Sequence, residues 1–343
     1  MSSDEQLLVA IDVGATNTRA RVVTVSRERE TTLVGPDVTE RVASASELYD
    51  FVSCVVRGAS GSGTIAAAAV AVAGMVDVDR CNLTNWRSDS VIEASGLEAA
   101  GLPHGQTRLV NDVVAGAWGA VARLDGEQPS ARPFNSPRGV APGVRDGSLV
   151  YVAPGTGLGA ATLVRHGFGP LGATALGCEG QHTQVPRFGG DIGRVVDVLA
   201  QARGSQPTWE DLVSGQGLVA IYRAWCSIDG KAPLLAEDDA FGAGSIAAAA
   251  LRGDVTALAA ANVYYCTLGH FAQLLAMTHL PCAVVVIGGD STEHNLELMR
   301  RSGLADAFAT LPRFDDVVSA IPIYTVDGQV NLEGAVWTAA REV

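Results

Sequence analysis

Two segments of the chain place a glycine-threonine turn between two apolar stretches. One runs from Leu7 to Val25 and the other from Ser148 to Val164, and the residues after each turn are β-branched or small and apolar. Most glycine-rich phosphate loops lead from a strand into a helix. Here a strand pattern continues past both turns, which predicts two β-hairpins. Two phosphate-binding hairpins in one chain favour a nucleotide held between two related lobes.

The remaining pattern alternates between strands and helices, which predicts an α/β layer fold. Further strands are predicted at 64–73, 108–110, 283–287 and 321–326. Helices are predicted at 46–58, 88–100, 113–124, 193–202, 208–213, 217–226, along an alanine-rich region at 245–278, and at 333–341. We expect the last strand and the last helix to pack back onto the first lobe.

The length of 343 residues favours two lobes, because one hydrophobic core rarely grows that large. We predict a small α/β lobe over 1–122 together with 322–343, and a large α/β lobe over 123–321. Between 126 and 147 the composition changes to Pro, Gly, Ser and Arg, which predicts an exposed loop close to the lobe boundary.

The composition is that of a globular enzyme with a large core: 48% of the residues are hydrophobic and 18% are charged. The formal net charge of -13, without a Lys/Arg stripe, argues against nucleic acid or an acidic membrane surface as a partner. A small anion such as ATP can still bind, because backbone amides and a metal ion supply a local positive field.

The sequence also points to the cytoplasm. Six cysteines without a CxxC pair favour reduced thiols. The first six residues carry two acids and no base, unlike a signal peptide. The longest apolar stretch, 65–76, is too short to span a bilayer and reads as a buried strand.

Asp12 ends the first predicted strand, just before the turn Gly14-Ala15-Thr16-Asn17. A carboxylate there can hold a hydrated magnesium ion while the turn amides face phosphate oxygens. The alternative is a tight hairpin in which Asp12 and Asn17 cap their own backbone. The second turn, Gly155-Thr156-Gly157, favours phosphate binding over that alternative.

Asn111 and Asp112 follow an apolar strand and precede a helix. Strand ends in α/β layers open onto the ligand crevice, so the carboxylate is available to a substrate. Taken alone, the pair favours Asp112 as the N-cap of the helix.

A third polar group comes from the glycine-flanked turn Glu179-Gly180-Gln181-His182 and from Glu210. An acid and an imidazole on one turn suit the recognition of vicinal hydroxyls. Taken alone, His182 is more often a structural histidine, and Glu210 could as easily occupy a first helical turn, where acids interact favourably with the helix dipole. Cys178, four residues before His182, hints at zinc, but a buried thiol is the preferred interpretation.

Taken in order, these segments resemble the bacterial-type glucokinases of the hexokinase, actin and sugar-kinase superfamily over nearly the whole chain. The similarity rests on seven motifs: Asp12-V-G-A-T-N-T-R19, Thr84-N-W86, Leu109-V-N-D112, Gly155-T-G-L-G159, Glu179-G-Q-H182, Glu210-D-L-V-S-G-Q-G-L-V-A-I-Y-R223 and Val286-I-G-G289. The resemblance implies a two-lobed actin-like ATPase fold, a duplicated ribonuclease H-like α/β fold with a cleft between the lobes. It also implies a homodimer.

By the same resemblance the chain would transfer the γ-phosphate of ATP to the 6-hydroxyl of glucose, with Asp112 as the general base. The sugar-binding residues would be Asn85, Asn111, Asp112, Glu179, His182 and Glu210. The nucleotide contacts would be Asp12, Gly14, Ala15, Thr16, Asn17, Gly155, Thr156, Gly157, Gly288 and Gly289. Asp12 would hold Mg²⁺ through water.

The chain departs from the family pattern at Ala15, where a glycine is usual, and at Asp290, where the family has an apolar residue. Three alternatives remain beside the glucokinase hypothesis. They are a kinase for another hexose or with polyphosphate as donor, a sugar sensor without catalysis, and a phosphatase on the same fold. The phosphatase has no evident use for the polar sugar-binding set.

Overall fold

The computed structural model describes residues 5–14, 17–26, 30–83, 86–125, 130–135, 147–166, 172–231 and 242–343, with Asp290 through its backbone alone. The chain divides into two compact units. The first comprises Met1–Pro129, His166–Gly177 and Gln329–Val343, and the second Ser130–Arg165 and Cys178–Gly328. The predicted lobes differ from this division at 123–129, 166–177 and 322–328.

The strands are numbered along the chain. They are β1 (Gln6–Val13), β2 (Thr18–Val25), β3 (Thr31–Leu33), β4 (Val38–Glu40), β5 (Ile65–Val72), β6 (Val76–Asp77), β7 (Arg80–Asn82), β8 (Val91–Glu93), β9 (Thr107–Asn111), β10 (Arg132–Asn135), β11 (Gly147–Pro154), β12 (Leu158–Arg165), β13 (Ala173–Cys178), β14 (Cys282–Ile287) and β15 (Ile323–Thr325).

The helices follow the same convention. They are α1 (Ala45–Ala59), α2 (Ala94–Ala99), α3 (Asp112–Asp125), α4 (Gly190–Arg203), α5 (Trp209–Leu212), α6 (Gly215–Ile228), α7 (Ala243–Leu251), α8 (Val255–Thr278), α9 (Asp290–His294), α10 (Leu296–Arg301), α11 (Leu304–Ala309), α12 (Asp315–Val318) and α13 (Val330–Ala340). Short 3₁₀ turns cover Ser60–Ser62 and Gly180–His182.

The first unit is built on a sheet with the order β3-β2-β1-β5-β9, and β4 also pairs with β2. β1 and β2 form the predicted antiparallel hairpin, whereas β1, β5 and β9 run parallel. Because β1 alternates between two buried faces, Val9 and Ile11 belong to one core cluster and Leu8 and Ala10 to another.

Helices cover both faces of this sheet. On one side α1 contributes Leu48, Phe51, Val52 and Val55 to the core. On the other side α13 packs through Leu332, Ala335, Val336 and Ala339 against the alanines of β5. A strand covered on both faces is expected to be apolar throughout, and the sequence of β5, IAAAAVAV, fits that rule.

The second unit repeats this strand arrangement. β11 and β12 form an antiparallel hairpin, and β11, β14 and β15 run parallel. β10 pairs antiparallel with the outer edge of β15. The core of the unit is one cluster that includes the buried faces of α6 and α8. The predicted hairpins and the predicted duplicated α/β fold are therefore confirmed.

The helical region predicted at 245–278 is present as two helices, broken at Gly253 (φ 95°) and restarted by Asp254, whose side chain caps α8. Two other expectations are wrong. Residues 88–100 are not one helix, because Val91–Glu93 form β8 and pair with β7, which buries Ile92. The strand at 321–326 does not return to the first unit, because β15 extends the parallel ladder of β14.

The predicted loop at 126–147 contains the strand β10, and its residues 126–129 and 136–146 lie outside the described chain. Within the described residues, no single helix has the length and apolar character to cross a membrane. Only α7 and α8 taken together reach that threshold, and they are bent by 115° at their break.

Helices α3 and α13 approach each other through glycines. A Cβ on Gly334 would lie 1.6 Å from the carbonyl oxygen of Ala115, and one on Gly119 would lie 2.0 Å from that of Val330. No side chain fits at such separations, so these helices pack backbone against backbone. This contact fixes α3, the helix that begins at Asp112.

We expect Gly334→Ala to lower the free energy of unfolding by about 3 kcal/mol, the upper end of the range for overpacked cores. Gly58→Ala is the matched control, because Gly58 lies in α1 with no atom within 4 Å of the added Cβ. The control should be neutral or stabilising by up to about 1 kcal/mol. Urea unfolding of both variants measures the difference, and equal midpoints would contradict the close approach.

Candidate active site

The turn of the first hairpin follows a buried carboxylate. Asp12, in β1, is 8% exposed, and the ladder with β2 closes at the pair Val13 and Thr18. Across the turn, the Gly14 N–H donates to the Asn17 carbonyl oxygen at 3.1 Å. Main-chain atoms therefore close the turn, with Asp12 at its base. The predicted contacts at Ala15 and Thr16 lie outside the described residues.

Asn111, and not Asp112, caps helix α3. The Oδ1 atom of Asn111 accepts the N–H groups of Val113 at 3.0 Å and Val114 at 3.2 Å. Asp112 is the first helical residue, and its Oδ1 also accepts the Val113 N–H, at 2.9 Å. The expectation that Asp112 serves as the N-cap is therefore wrong. Its carboxylate lies at the positive end of the helix, where a negative charge is stabilised.

The parallel register brings these groups to one edge of the sheet. Asp12 pairs with Ala71, and Ala71 pairs with Val110, the residue before Asn111. Neighbouring strands lie about 4.8 Å apart, so the backbones of Asp12 and Val110 are on the order of 10 Å apart. The first unit thus collects Asp12, Asn111 and Asp112 at the carboxyl ends of its parallel strands.

The surroundings of Asp112 include a buried thiol. Asn111 Nδ2 donates to the carbonyl oxygen of Gly74 at 3.0 Å, and a Cβ on Gly74 would lie 2.8 Å from Sγ of Cys81. Burial, and then the negative charge of Asp112, raise the pKa of Cys81 to about 11. The thiol is therefore protonated at neutral pH and does not act as a nucleophile.

The turn of the second hairpin is hydrogen-bonded to the start of helix α6. The Gly155 N–H donates to the Gly157 carbonyl oxygen at 2.8 Å, which closes the turn. The Gly155 carbonyl oxygen in turn accepts the N–H of Gly215, also at 2.8 Å. Gly215 begins α6, and Ser214 caps that helix by accepting the Gly217 N–H at 3.0 Å.

A second bond to the same turn comes from Glu210. Its Oε2 atom accepts the backbone N–H of Leu158 at 2.8 Å. A Cβ on Gly157 would lie 2.6 Å from that oxygen, so only glycine leaves room for the carboxylate. Glu210 occupies the first turn of α5, as one of the two alternatives predicted, and it also contacts the turn between β11 and β12.

The backbone of Glu210 is held by its neighbours in the chain. Thr208 and Asp211 form a capping box, with hydrogen bonds of 2.8 and 3.2 Å between their side chains and N–H groups. Trp209 is buried, with its ring centroid 5.9 Å from that of Phe188 and 5.4 Å from that of Phe271. The position of the carboxylate therefore does not depend on its contact with Leu158 alone.

The predicted acid and imidazole groups lie together in the second unit. His182 Nε2 is 3.3 Å from Glu179 Oε2, and His182 Nδ1 is 3.8 Å from Glu210 Oε1. These side chains are 34–57% exposed and so remain accessible to a ligand. We call Glu179, His182 and Glu210 the polar cluster. It offers carboxylate acceptors and an imidazole, which suits hydrogen bonding to hydroxyl groups.

Cys178, predicted to be a buried thiol, is half-buried. Its Sγ accepts the Gly180 N–H at 3.3 Å. Across the part of the chain that the structure describes, no three His, Cys, Asp or Glu side chains are arranged to hold a metal ion.

The glycine pair after β14 lies against the second hairpin. The Gly288 N–H donates to the Val152 carbonyl oxygen at 2.9 Å, and a Cβ on Gly288 would lie 2.4 Å from Oη of Tyr151. Gly289 has φ 95° and approaches the carbonyl oxygen of Pro154. The second unit therefore brings Gly288 and Gly289 to the end of β11, where its turn begins.

Asn85, like Ala15 and Thr16, is a predicted site residue that lies outside the described residues, as does the side chain of Asp290, the residue that departs from the family pattern. Sequence reasoning missed three contributors, which are Leu158, Gly215 and Gln181. Leu158 and Gly215 act through main-chain atoms, which leave no signal in residue type. Gln181 offered a signal, since it is a polar residue between Glu179 and His182.

Asp12 is a suitable carboxylate for a magnesium ion at the base of the first turn. Mg²⁺ is commonly held by one or two carboxylates together with substrate phosphates and water. Asp12 supplies one carboxylate at the base of the turn. The donor set suits a metal that arrives with a nucleotide and is held through water, and it does not form an all-protein cage.

Comparison with known proteins identifies the family. The glucokinase family model matches residues 8–342. A glucokinase from Stenotrophomonas maltophilia is 28% identical over 334 residues, covering 95% of this chain and 92% of that protein. A glucokinase from Chromobacterium violaceum is 30% identical over 321 residues, covering 92% of this chain and 84% of that protein.

Solved structures share the fold. A glucokinase from an Antarctic psychrotroph superposes with a TM-score of 0.79 at 20% identity, covering 98% of this chain and 99% of that one. A ROK family glucokinase from Streptomyces griseus, solved in complex with glucose and AMPPNP, gives a TM-score of 0.62 at 22% identity, covering 98% and 99%. Because the family model spans nearly the whole sequence, this chain belongs to the glucokinase family and is an enzyme of its class, the ATP-dependent hexose kinases.

Proposed function

We propose that this chain is a glucokinase that transfers the γ-phosphate of ATP to the 6-hydroxyl of glucose. The observation that carries the proposal is the hydrogen bond between Glu210 and Leu158. It joins a carboxylate of the polar cluster to a turn with the sequence of a phosphate motif. A site that binds hydroxyls on one side and phosphate on the other is what a sugar kinase requires. The Stenotrophomonas maltophilia and Chromobacterium violaceum relatives are named as glucokinases.

Asp112 is the proposed general base. It stands at the carboxyl edge of the first sheet, and Asn111 performs the capping of α3. Its role is to accept the proton of the sugar 6-hydroxyl as that oxygen attacks the γ-phosphate. Phosphoryl transfer depends mainly on positioning and charge neutralisation, so one oriented carboxylate is sufficient as the general base.

Sugar recognition is assigned to Asn85, Asn111, Asp112 and the polar cluster. Asn111 has little capacity left, because its Oδ1 already accepts two N–H groups and one N–H of Nδ2 is bound to Gly74. It can offer one further donor to a hydroxyl. Glu179, His182 and Glu210 are accessible and therefore carry most of the recognition.

Nucleotide binding is assigned to the two turns and to Gly288 and Gly289. ATP as donor is supported by the family and by the AMPPNP, an ATP analogue, in the Streptomyces griseus structure. Asp12 would hold Mg²⁺ through water, and the ion would neutralise phosphate charge. We also propose that the chain is cytoplasmic, because its six cysteines are free. Family resemblance further suggests a homodimer, which light scattering would test.

We expect Asp112→Asn to lower kcat by a factor of about 100 to 10,000, the usual contribution of general base catalysis. The amide keeps the shape of the side chain, so the Kd for glucose should stay within about threefold. Stopped-flow or coupled assays give kcat, and calorimetry gives Kd. Near-normal turnover would remove Asp112 from the mechanism.

Glu210→Ala should raise the KM for both glucose and ATP by about tenfold or more, because hydrogen bonds to charged groups contribute about 1.5–3 kcal/mol. Leu158 loses its acceptor, and the second turn loses one of its two fastenings. Glu179→Ala is the matched control: it should raise the KM for glucose and leave that for ATP nearly unchanged. Equal effects on ATP in both variants would contradict the assigned coupling.

The substrate assignment is tested by a panel of acceptors and donors. Glucose, mannose, fructose and N-acetylglucosamine are each assayed with ATP, ADP and polyphosphate. The proposal predicts the highest kcat/KM for glucose with ATP. If another sugar or donor gave the highest kcat/KM, that pair would be the substrate assignment instead. Tight glucose binding without ATP consumption would indicate a sensor.

A further inference from the structure

Gln181 is buried between two accessible members of the polar cluster. It is 5% exposed, whereas the side chains of Glu179 and His182 are 53% and 57% exposed. Gln181 and His182 lie in the short 3₁₀ segment Gly180–His182, and Glu179 directly precedes it. A polar side chain that turns inward while its neighbours face solvent needs a specific reason, because burying an amide is unfavourable.

One end of the Gln181 amide holds a carboxylate of the polar cluster. Its Nε2 donates to Glu179 Oε2 at 2.8 Å. The same oxygen lies 3.3 Å from His182 Nε2. The opposite amide orientation would bring two acceptor oxygens together, so the contact with Glu179 fixes the way the amide points. Glu179 is thereby restrained from two sides.

The other end of the amide has no partner in the described chain. Among the described residues, Gln181 Oε1 is buried and accepts no hydrogen bond. A buried unsatisfied acceptor lowers stability. An apolar residue of the same size would avoid that cost, so packing alone does not account for glutamine at this position. The contact with Glu179 does.

Resting on the proposed function, we propose that Gln181 is a positioning residue for sugar recognition. It does not touch the reacting atoms. Its buried amide donates to the Glu179 carboxylate and holds it in one rotamer, so that the carboxylate meets a sugar hydroxyl without reorganisation. The ligand class is a pyranose hexose, and the contact sharpens the discrimination between hexoses that differ in one hydroxyl.

The test is Gln181→Met, which preserves volume and removes both polar atoms of the amide. The variant should unfold at the same temperature as the wild type or higher, because the unsatisfied acceptor is gone. Its KM for the sugar that the wild type phosphorylates best should rise about tenfold, the loss expected for a hydrogen bond to a charged group. kcat should change by less than about threefold. The preference for that sugar over its epimers should decrease.

Gln273→Met is the matched control within the same unit. Gln273 is 8% exposed, and its Nε2 donates to the carbonyl oxygens of Ala307, Phe308 and Thr310 at 3.3, 2.7 and 3.0 Å. The amide nitrogen of that glutamine is bound to backbone at the end of α11. The control should therefore melt at a lower temperature and keep the wild-type KM, the opposite of the result for Gln181→Met.

Gln181→Glu supplies a second readout. At neutral pH the introduced carboxylate repels Glu179 and the Kd for the sugar should rise. The introduced group takes up a proton readily because another carboxylate lies beside it. Once protonated it can donate to Glu179 again, so the ratio of variant to wild-type Kd, measured by calorimetry, should fall between pH 8 and pH 5. A merely structural role would leave this ratio constant.

The proposal is overturned if Gln181→Met melts at a lower temperature with an unchanged KM, or if the Kd ratio of Gln181→Glu does not vary with pH. Failure of the proposed function is a separate result, since it appears in the wild type as no phosphorylation of any hexose. In that case the calorimetric comparison is made with the hexose that the wild type binds most tightly. The Kd ratio then decides the role of Gln181 alone.

Discussion

The carboxylate of Glu210 joins the turn of the second hairpin to the polar cluster. One of its oxygens accepts the N–H of Leu158, and the other lies toward His182. The turn at Gly155 is therefore held by the same side chain that serves the polar cluster, and Gly157 is required because a Cβ would occupy the carboxylate's place. Since Trp209 is packed against Phe188 and Phe271, the carboxylate is delivered by a rigid helix start. Under the proposed function, phosphate and hydroxyl recognition would both depend on this one helix start.

The duplicated strand arrangement explains why each unit presents its polar groups at one edge. In both sheets a hairpin leads into two further parallel strands, and parallel strands end at the same side. The central strands are buried on both faces, so their side chains are mainly apolar. Polar side chains that could contact a ligand are therefore found at the strand ends. Asp12 and Asn111 stand at that limit in the first unit, and Gly155 and Gly288 in the second.

Much of this architecture could be predicted from the sequence, because the hairpins and buried strands depend on local residue type. β-branched residues after each turn predicted the hairpins, and the alanine-rich run predicted β5. The helix expected at 88–100 was wrong because Val91 and Ile92 pair with a strand that carries no strong signal of its own. The bond between Glu210 and Leu158 could not be predicted, since it joins a side chain to a backbone N–H 52 positions away. The N-cap of α3 is Asn111 and not the predicted Asp112. The identity of the cap depends on where the helix begins, which residue type alone does not determine.

The two units satisfy their polar groups in different ways, and the difference bears on where specificity resides. In the first unit, Asn111 uses nearly all its hydrogen-bonding capacity on the backbone of α3 and on Gly74, so its geometry is fixed and little is left for a ligand. In the second unit, Glu179 and His182 are accessible and are restrained mainly by each other and by Gln181. Groups with unused capacity are the ones that a ligand hydroxyl can complete, and a ligand that lacks the hydroxyl leaves them unpaired. Under the proposed function, discrimination between sugars depends more on the second unit, and the buried acceptor of Gln181 is a cost in stability that accompanies the contact with Glu179.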